Sequence, residues 1–217
     1  MISSRFTERL HSGRPVVLDG ATGTNLQARG LPLGTPSDVW TLDNPAEVIR
    51  LHRDFIAAGA EVILTNTFGS SRLHLAHAGL ESRFEETNRT AVALAKQAAG
   101  ASGALVAGSL GPLGEMLEPA GTLSAEAAAR AYAEQARLLA EAGVDLLVIE
   151  TQYDLNEALA AVRGVKSVTD LPLVCSFSYD RGTRTMMGLR PAQAAQALAA
   201  AGLAAIGINC GRSLEDN

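Results

Sequence analysis

EAGVDLLVIE (141–150) is the stretch that decides the fold. The alanine-rich segment before it stops at a glycine, the residue that most readily takes the left-handed conformation ending a helix. A short run rich in leucine and β-branched residues follows without polar alternation, as in a parallel strand covered on both faces. The same grammar recurs in AAGAEVILTN (57–66) and AAGLAAIGIN (200–209). Similar apolar runs at PVVLDG (15–20), ALVAGS (104–109) and LPLVCSFS (171–178) bring the expected strands to six. Helices fill the gaps. Asn44-Pro45 with Glu47 reads as an N-cap, a first-turn proline and a capping glutamate, and Asp154 with Glu157 repeats the signal without the proline. Ser124 and Pro191 open two more helices, and a further one spans residues 84–99.

Repeated β-α alternation means a parallel sheet with right-handed crossovers. Two architectures remain: an open doubly wound sheet and a (β/α)₈ barrel. A doubly wound sheet concentrates function at one switch point, and no G-x-G-x-x-G follows the first run. In a barrel every strand delivers residues to one mouth at its C-terminal end. Here every run finishes in polar or small groups: Asp19-Gly20, Thr65 to Thr67, Ser109, Glu150-Thr151, Ser176 with Ser178, and Asn209-Cys210. The expected fold is therefore an α/β (β/α)₈ TIM barrel, truncated to about six βα units because eight need about 250 residues. Residues 1–217 read as one barrel domain, C-terminally incomplete.

Composition excludes several classes. The chain has 217 residues, 47% hydrophobic and 19% charged, with 18 Lys+Arg against 23 Asp+Glu and a net charge of −5. A nucleic-acid protein would show a basic face, and no Lys/Arg cluster occurs. Two distant cysteines make no disulfide scaffold. The opening MISSRFTERLHSG lacks the apolar stretch of a signal peptide, so a cytoplasmic location is expected. The uncharged stretch 191–211 approaches the length of a membrane span, but its glycines and amides fit a helix followed by a strand better.

The strand ends nominate the chemistry. Asp19 and Glu150, each directly after an apolar run, are expected to face one another across the mouth. There they suit an ammonium group or general acid-base work. Cys210, in GINCG, is an accessible thiol fit to be a metal ligand or nucleophile, whereas Cys175 lies mid-strand and reads as core. A zinc ion needs three or four protein ligands, more than this chain offers. His74 and His77 have helical spacing without an acidic or thiol companion in sequence. With His52 they read as a solvated helix face. GPLGE (111–115) and GLRP (188–191) are either plain turns or glycines that let backbone approach a ligand. An aldolase of the Schiff-base type would need a lysine at a strand end, and neither Lys96 nor Lys166 is at one.

LDGATGTNLQ, EVILTNTFGSS, AGSLGPLGE, DLLVIETQYDLNEA and GINCG, in this order, resemble the homocysteine S-methyltransferase domain family. That family includes the homocysteine-binding module of cobalamin-dependent methionine synthase and the enzymes using betaine or S-methylmethionine. The resemblance implies a zinc-dependent barrel enzyme that methylates the thiolate of homocysteine to give methionine. It makes Cys210 the first zinc-binding cysteine, with an adjacent cysteine pair expected beyond residue 217. It assigns Cys210 and Glu150 as catalytic, and Asp19 with Glu150 as the acids holding the amino group of homocysteine. Gly20 and Ala21 offer backbone N–H groups to its carboxylate; Thr67, Ser109 and Asn209 line the same mouth. ETQYDLNEA leans toward a donor linked to methylcorrinoid or methylfolate, with cobalamin or folate supplied by another domain or protein. Betaine or S-methylmethionine is the alternative donor, with Tyr153 and Trp40 as aromatic candidates, and an inactive fragment acting only as a binding module is the rival to catalysis.

Overall fold

A computed structural model describes residues 4–180, 182–211 and 213. Five parallel strands form one sheet: β1 Val62–Leu64, β2 Leu105–Leu110, β3 Leu146–Gln152, β4 Leu173–Phe177 and β5 Ala205–Ile208. Their spatial order follows the chain, β1-β2-β3-β4-β5, without the reversal a doubly wound sheet would show. The first expected strand is reduced to a single parallel bridge between Leu18 and Val62, supported by Asp19 N–H to Val62 O at 3.0 Å and Glu61 N–H to Val17 O at 2.8 Å. Pro15, which cannot donate to a ladder, and the exposure of Val17 and Leu18 accord with the shortfall.

The helices are α1 Arg5–Leu10, α2 Thr22–Ala28, α3 Trp40–Asp43, α4 Pro45–Ala57, α5 Arg72–Ala76, α6 Phe84–Ala99, α7 Ala125–Ala142, α8 Leu155–Lys166 and α9 Pro191–Leu198. The glycines that close the repeated unit are all left-handed, with φ of +106° at Gly59, +90° at Gly143 and +63° at Gly202. Ser124 caps α7 through Ala127 N–H, and Asp154 caps α8 through Asn156 N–H at 2.7 Å. Asn44 makes no side-chain cap, so Pro45 alone carries that helix start. Lys96 and Lys166, at the ends of α6 and α8, reach over to the carbonyls at the next helix ends, Gly143 O at 3.3 Å and Gly202 O at 3.1 Å.

Alternation along each strand divides the apolar residues. Ile63, Val106, Leu147, Ile149, Cys175 and Phe177 join the helices in the main core. Val62, Leu105, Ala107, Leu146 and Val148 line the inner face, which Phe6 of α1 covers from below. The outer residues of β5, Ile206 and Ile208, stay 40% and 44% exposed, against the expectation of a strand buried on both faces. Among the described residues no helix is long and apolar enough to cross a membrane.

Candidate active site at the strand ends

The inner-facing residues at the C-terminal strand ends converge as parallel strands in consecutive order require. Glu150 ends the inner row of β3, and Ser109, one strand over on β2, donates its hydroxyl to Glu150 Oε1. Asp19 follows the bridge at Leu18, and its Oδ2 accepts the N–H of Leu64 at 2.9 Å. Burial pushes the Asp19 carboxyl up to about 7, helped by the negative charge of nearby Glu150. Glu150 is raised by burial too, against the opposing hydrogen bond from Ser109. Two acids thus sit near each other in a setting that disfavours their charged forms and favours an incoming cation.

Asn209, on the inner row of β5, connects the two halves. Its Oδ1 accepts from Ser176 Oγ at 2.8 Å and from Thr151 N–H at 3.0 Å. Its Nδ2 donates to Thr151 Oγ1 at 2.7 Å and lies 3.3 Å from both Glu150 Oε2 and Cys210 Sγ. Cys210 is exposed, while Cys175 is buried and its thiol is pushed up to about 12, as inert core sulfur. Thr151 and Cys210 carry positive φ, +59° and +54°, the non-glycine residues that do so among those described. Each such residue costs about 1–2 kcal/mol relative to a right-handed conformation.

Gly20 and Ala21 form the exposed turn between Asp19 and α2, with Ala21 at its N-cap. Thr67 departs from expectation. It is fully buried, donates to Ser109 O at 2.8 Å and shares a 2.7 Å contact with Thr65 Oγ1, so it ties β1 to β2 rather than facing the mouth. Gly111 is a close-approach glycine, but the approach is to protein: a Cβ there would stand 2.5 Å from Phe68 O. Gly188 is a left-handed turn residue, φ +82°, with open space around it. Trp40 packs with Leu26, Leu31 and Val48 among the helices.

Of the histidines given the solvated-face reading, His77 is exposed as expected, whereas His74 is half-buried and His52 is buried. His77 Nε2 stands 2.8 Å from Glu115 Oε1, and His74 stacks on His77 beside Asp38, so both have acidic neighbours that only the fold reveals. His52 is 1% exposed, with neither ring nitrogen hydrogen-bonded, and burial pushes it down to about 4. Among the described residues no group of three or more His, Cys, Asp or Glu is arranged to hold a metal.

A buried polar layer beneath the mouth was not foreseen. Glu157, expected to complete a helix cap, is buried instead; its Oε1 accepts from Leu113 N–H and Tyr132 Oη, both at 2.8 Å. Gln152 Nε2 donates to Tyr132 Oη at 3.2 Å. Gln135 Nε2 donates to Thr67 O at 2.9 Å. These groups pin the loops after β1, β2 and β3 to the helices behind them. A lone tyrosine in the alanine-rich α7 was the available signal, because a buried phenol needs a partner.

Comparison with known proteins places this geometry. The family model described as homocysteine S-methyltransferase matches residues 16–216. Methionine synthase of Mycobacterium tuberculosis is 28% identical over 215 residues, 92% of this chain and 18% of that protein. The S-methylmethionine–homocysteine S-methyltransferase of Pongo abelii is 31% identical over 206 residues, 94% of this chain and 53% of that protein. The betaine–homocysteine S-methyltransferase of Danio rerio is 31% identical over 209 residues, with 94% and 50% coverage. Among solved structures, the metallated form of the homocysteine methyltransferase MmuM from Escherichia coli gives a TM-score of 0.83 at 27% identity, covering 96% of this chain and 79% of that one. The chain spans about half the length of two of these relatives and 18% of methionine synthase. It belongs to the homocysteine S-methyltransferase family.

Proposed function

We propose that this chain binds homocysteine and forms the thiol-accepting part of a zinc-dependent S-methyltransferase that yields methionine. The observation carrying this reading is the position of Asn209 Nδ2, 3.3 Å from a Glu150 carboxylate oxygen and 3.3 Å from the Cys210 sulfur. A carboxylate for an ammonium group and a thiol for a soft metal thereby share one neighbour at the same strand end. Glu150 and Asp19 hold the substrate ammonium, and Ser109 fixes the Glu150 carboxyl. The exposed turn at Gly20 and Ala21 offers N–H groups to the substrate carboxylate.

The residues fit one corner of a zinc site. Cys210 is exposed, and its Asn209 neighbour donates toward the sulfur. Zinc, when bound, keeps a coordinated thiol deprotonated at neutral pH. The remaining ligands come from outside the described residues, in keeping with a complete (β/α)₈ barrel whose first part is the single domain 1–217. Methylation needs no general base in this scheme.

The donor reading favours a methylcorrinoid or methylfolate carried by another domain or protein, as the relation to a methionine synthase supports. Betaine or S-methylmethionine is the second reading, favoured by the 37% exposed Phe68 on the loop after β1, a ring available to a cationic methyl group.

Calorimetric titration of L-homocysteine into the 217-residue chain tests the binding role. Glu150→Gln and Asp19→Asn should each weaken binding about tenfold or more. With zinc added, Cys210→Ser should erase any zinc-dependent gain. Undiminished affinity in Glu150→Gln would remove the basis of the proposal.

A further inference from the structure

We infer that the left-handed turn at Thr151 is a positioning device for Glu150, held closed by Asn209. Thr151 and Asn209 then serve the reaction through Glu150 and do not bind substrate themselves. The ligand is taken from the homocysteine reading above; the geometry stands without it.

In a regular strand, residues two apart share a face. Leu146 and Val148 belong to the inner cluster, and Glu150 continues that row onto Ser109. Gln152 should follow them inward. It is instead fully buried against Tyr132 of α7, on the helix side of the sheet. One residue out of the extended region is enough to reverse the alternation, and Thr151, φ +59°, is that residue. The pairing of β3 with β4 changes register at the same place, between Ile149 and Gln152. The kink therefore sends one acid into the mouth and anchors the next polar side chain in the layer behind it.

Threonine is among the residues least suited to this conformation, because its branched Cβ crowds the following carbonyl. Something must hold it there, and Asn209 engages its N–H at 3.0 Å and its Oγ1 at 2.7 Å. Ser176 Oγ, at 2.8 Å, fixes the orientation of the amide. Glycine would take the turn without strain but would leave Asn209 no hydroxyl to hold. Threonine thus brings a handle that locks the acid in place. The same asparagine precedes Cys210, the other left-handed non-glycine residue, so a single amide governs the entry to both reactive side chains.

Thermal melts and ligand discrimination test the device on separate readouts. Asn209→Ala should lower the melting temperature. Adding Thr151→Gly to that variant should restore about 2–4 °C by releasing unopposed strain. Thr151→Ala in the same background should restore nothing, because alanine keeps the strained φ. For function, the probes are L-homocysteine and 4-mercaptobutanoic acid, which lacks the amino group. Asn209→Ala should cut the preference for homocysteine over 4-mercaptobutanoic acid about tenfold, as a displaced Glu150 would, because any change at Cys210 weakens both thiols alike and leaves their ratio untouched. If Asn209→Ala does not fold, Thr151→Val, which exchanges the hydroxyl for a methyl group of similar size, should lower the same ratio. Equal recovery by alanine and glycine, or an unaltered ratio in a folded variant, overturns the device. A wild-type chain that binds both probes alike overturns the homocysteine reading instead, and the melts then decide the device alone.

Discussion

His52 and Asp19 are strained in opposite electrostatic senses. The imidazole is buried without a partner and held down to about 4; the carboxyl is held up to about 7. Between these values the unfolded chain protonates the histidine and not the aspartate, while the folded chain does the reverse. Both states then bind the same number of protons at these two sites, and their contributions to the pH dependence of stability cancel. Single variants should expose each slope. His52→Leu leaves the raised acid, whose folding penalty is absent below its unfolded value near 4 and complete above about 7; stability should then rise on acidification from 7 to 4. Asp19→Asn leaves the depressed histidine unopposed by that acid, so relative to the wild type its stability should fall as pH drops from 7 to 4. The slopes amount to about 3 kcal/mol for His52 and about 4 kcal/mol for Asp19 across their windows, measurable by urea unfolding at a series of pH values. Parallel profiles for the two variants would refute the assignment. The prominence of Asp19 and Glu150 was legible in the sequence, since an acid directly after an apolar run has little else to do. The fates of His52 and Thr67 were not, because whether an imidazole or a hydroxyl meets water depends on neighbours that are distant in the chain.

At the scale of elements, the legible features are those set by local chemistry. Apolar runs gave β1 to β5 and left-handed glycines gave the helix ends. Local chemistry fails where one pattern serves two ends. Glu157 three residues after Asp154 matches a capping pair, yet the same carboxyl reaches Leu113 and Tyr132 in the buried layer. Alanine-rich α7 and α8 pack closely because Gly164 faces the backbone of Ala129, where a Cβ would stand 2.1 Å from the carbonyl oxygen. Gly164→Ala should therefore destabilise the protein by about 1–3 kcal/mol through overpacking, outweighing the helix propensity that alanine brings. Chemical denaturation would show it as a lower midpoint with an unchanged slope. A gain in stability would mean that the two helices part at little cost.

Across the whole molecule, support is uneven. β2, β3 and β4 are each flanked by strands on both sides, while β5 has β4 on one side and exposed Ile206 and Ile208 on its outer face. Amide exchange should be fastest at Ile206 to Ile208 and slowest at Leu146 to Val148, following the opening free energies of edge and centre. Equal protection across the sheet would contradict this ranking. The overall order of the sheet was readable from the repeated unit, but its weak margin was not, because exposure at an edge depends on what lies alongside. Asn209 belongs to that margin. The amide that disciplines Glu150 and adjoins Cys210 is thus mounted on the loosest plank of the floor. Whatever braces that plank, a neighbouring segment or an arriving amino acid, also tightens the grip on the acid, so firmness of the frame and readiness of the pocket should rise and fall together.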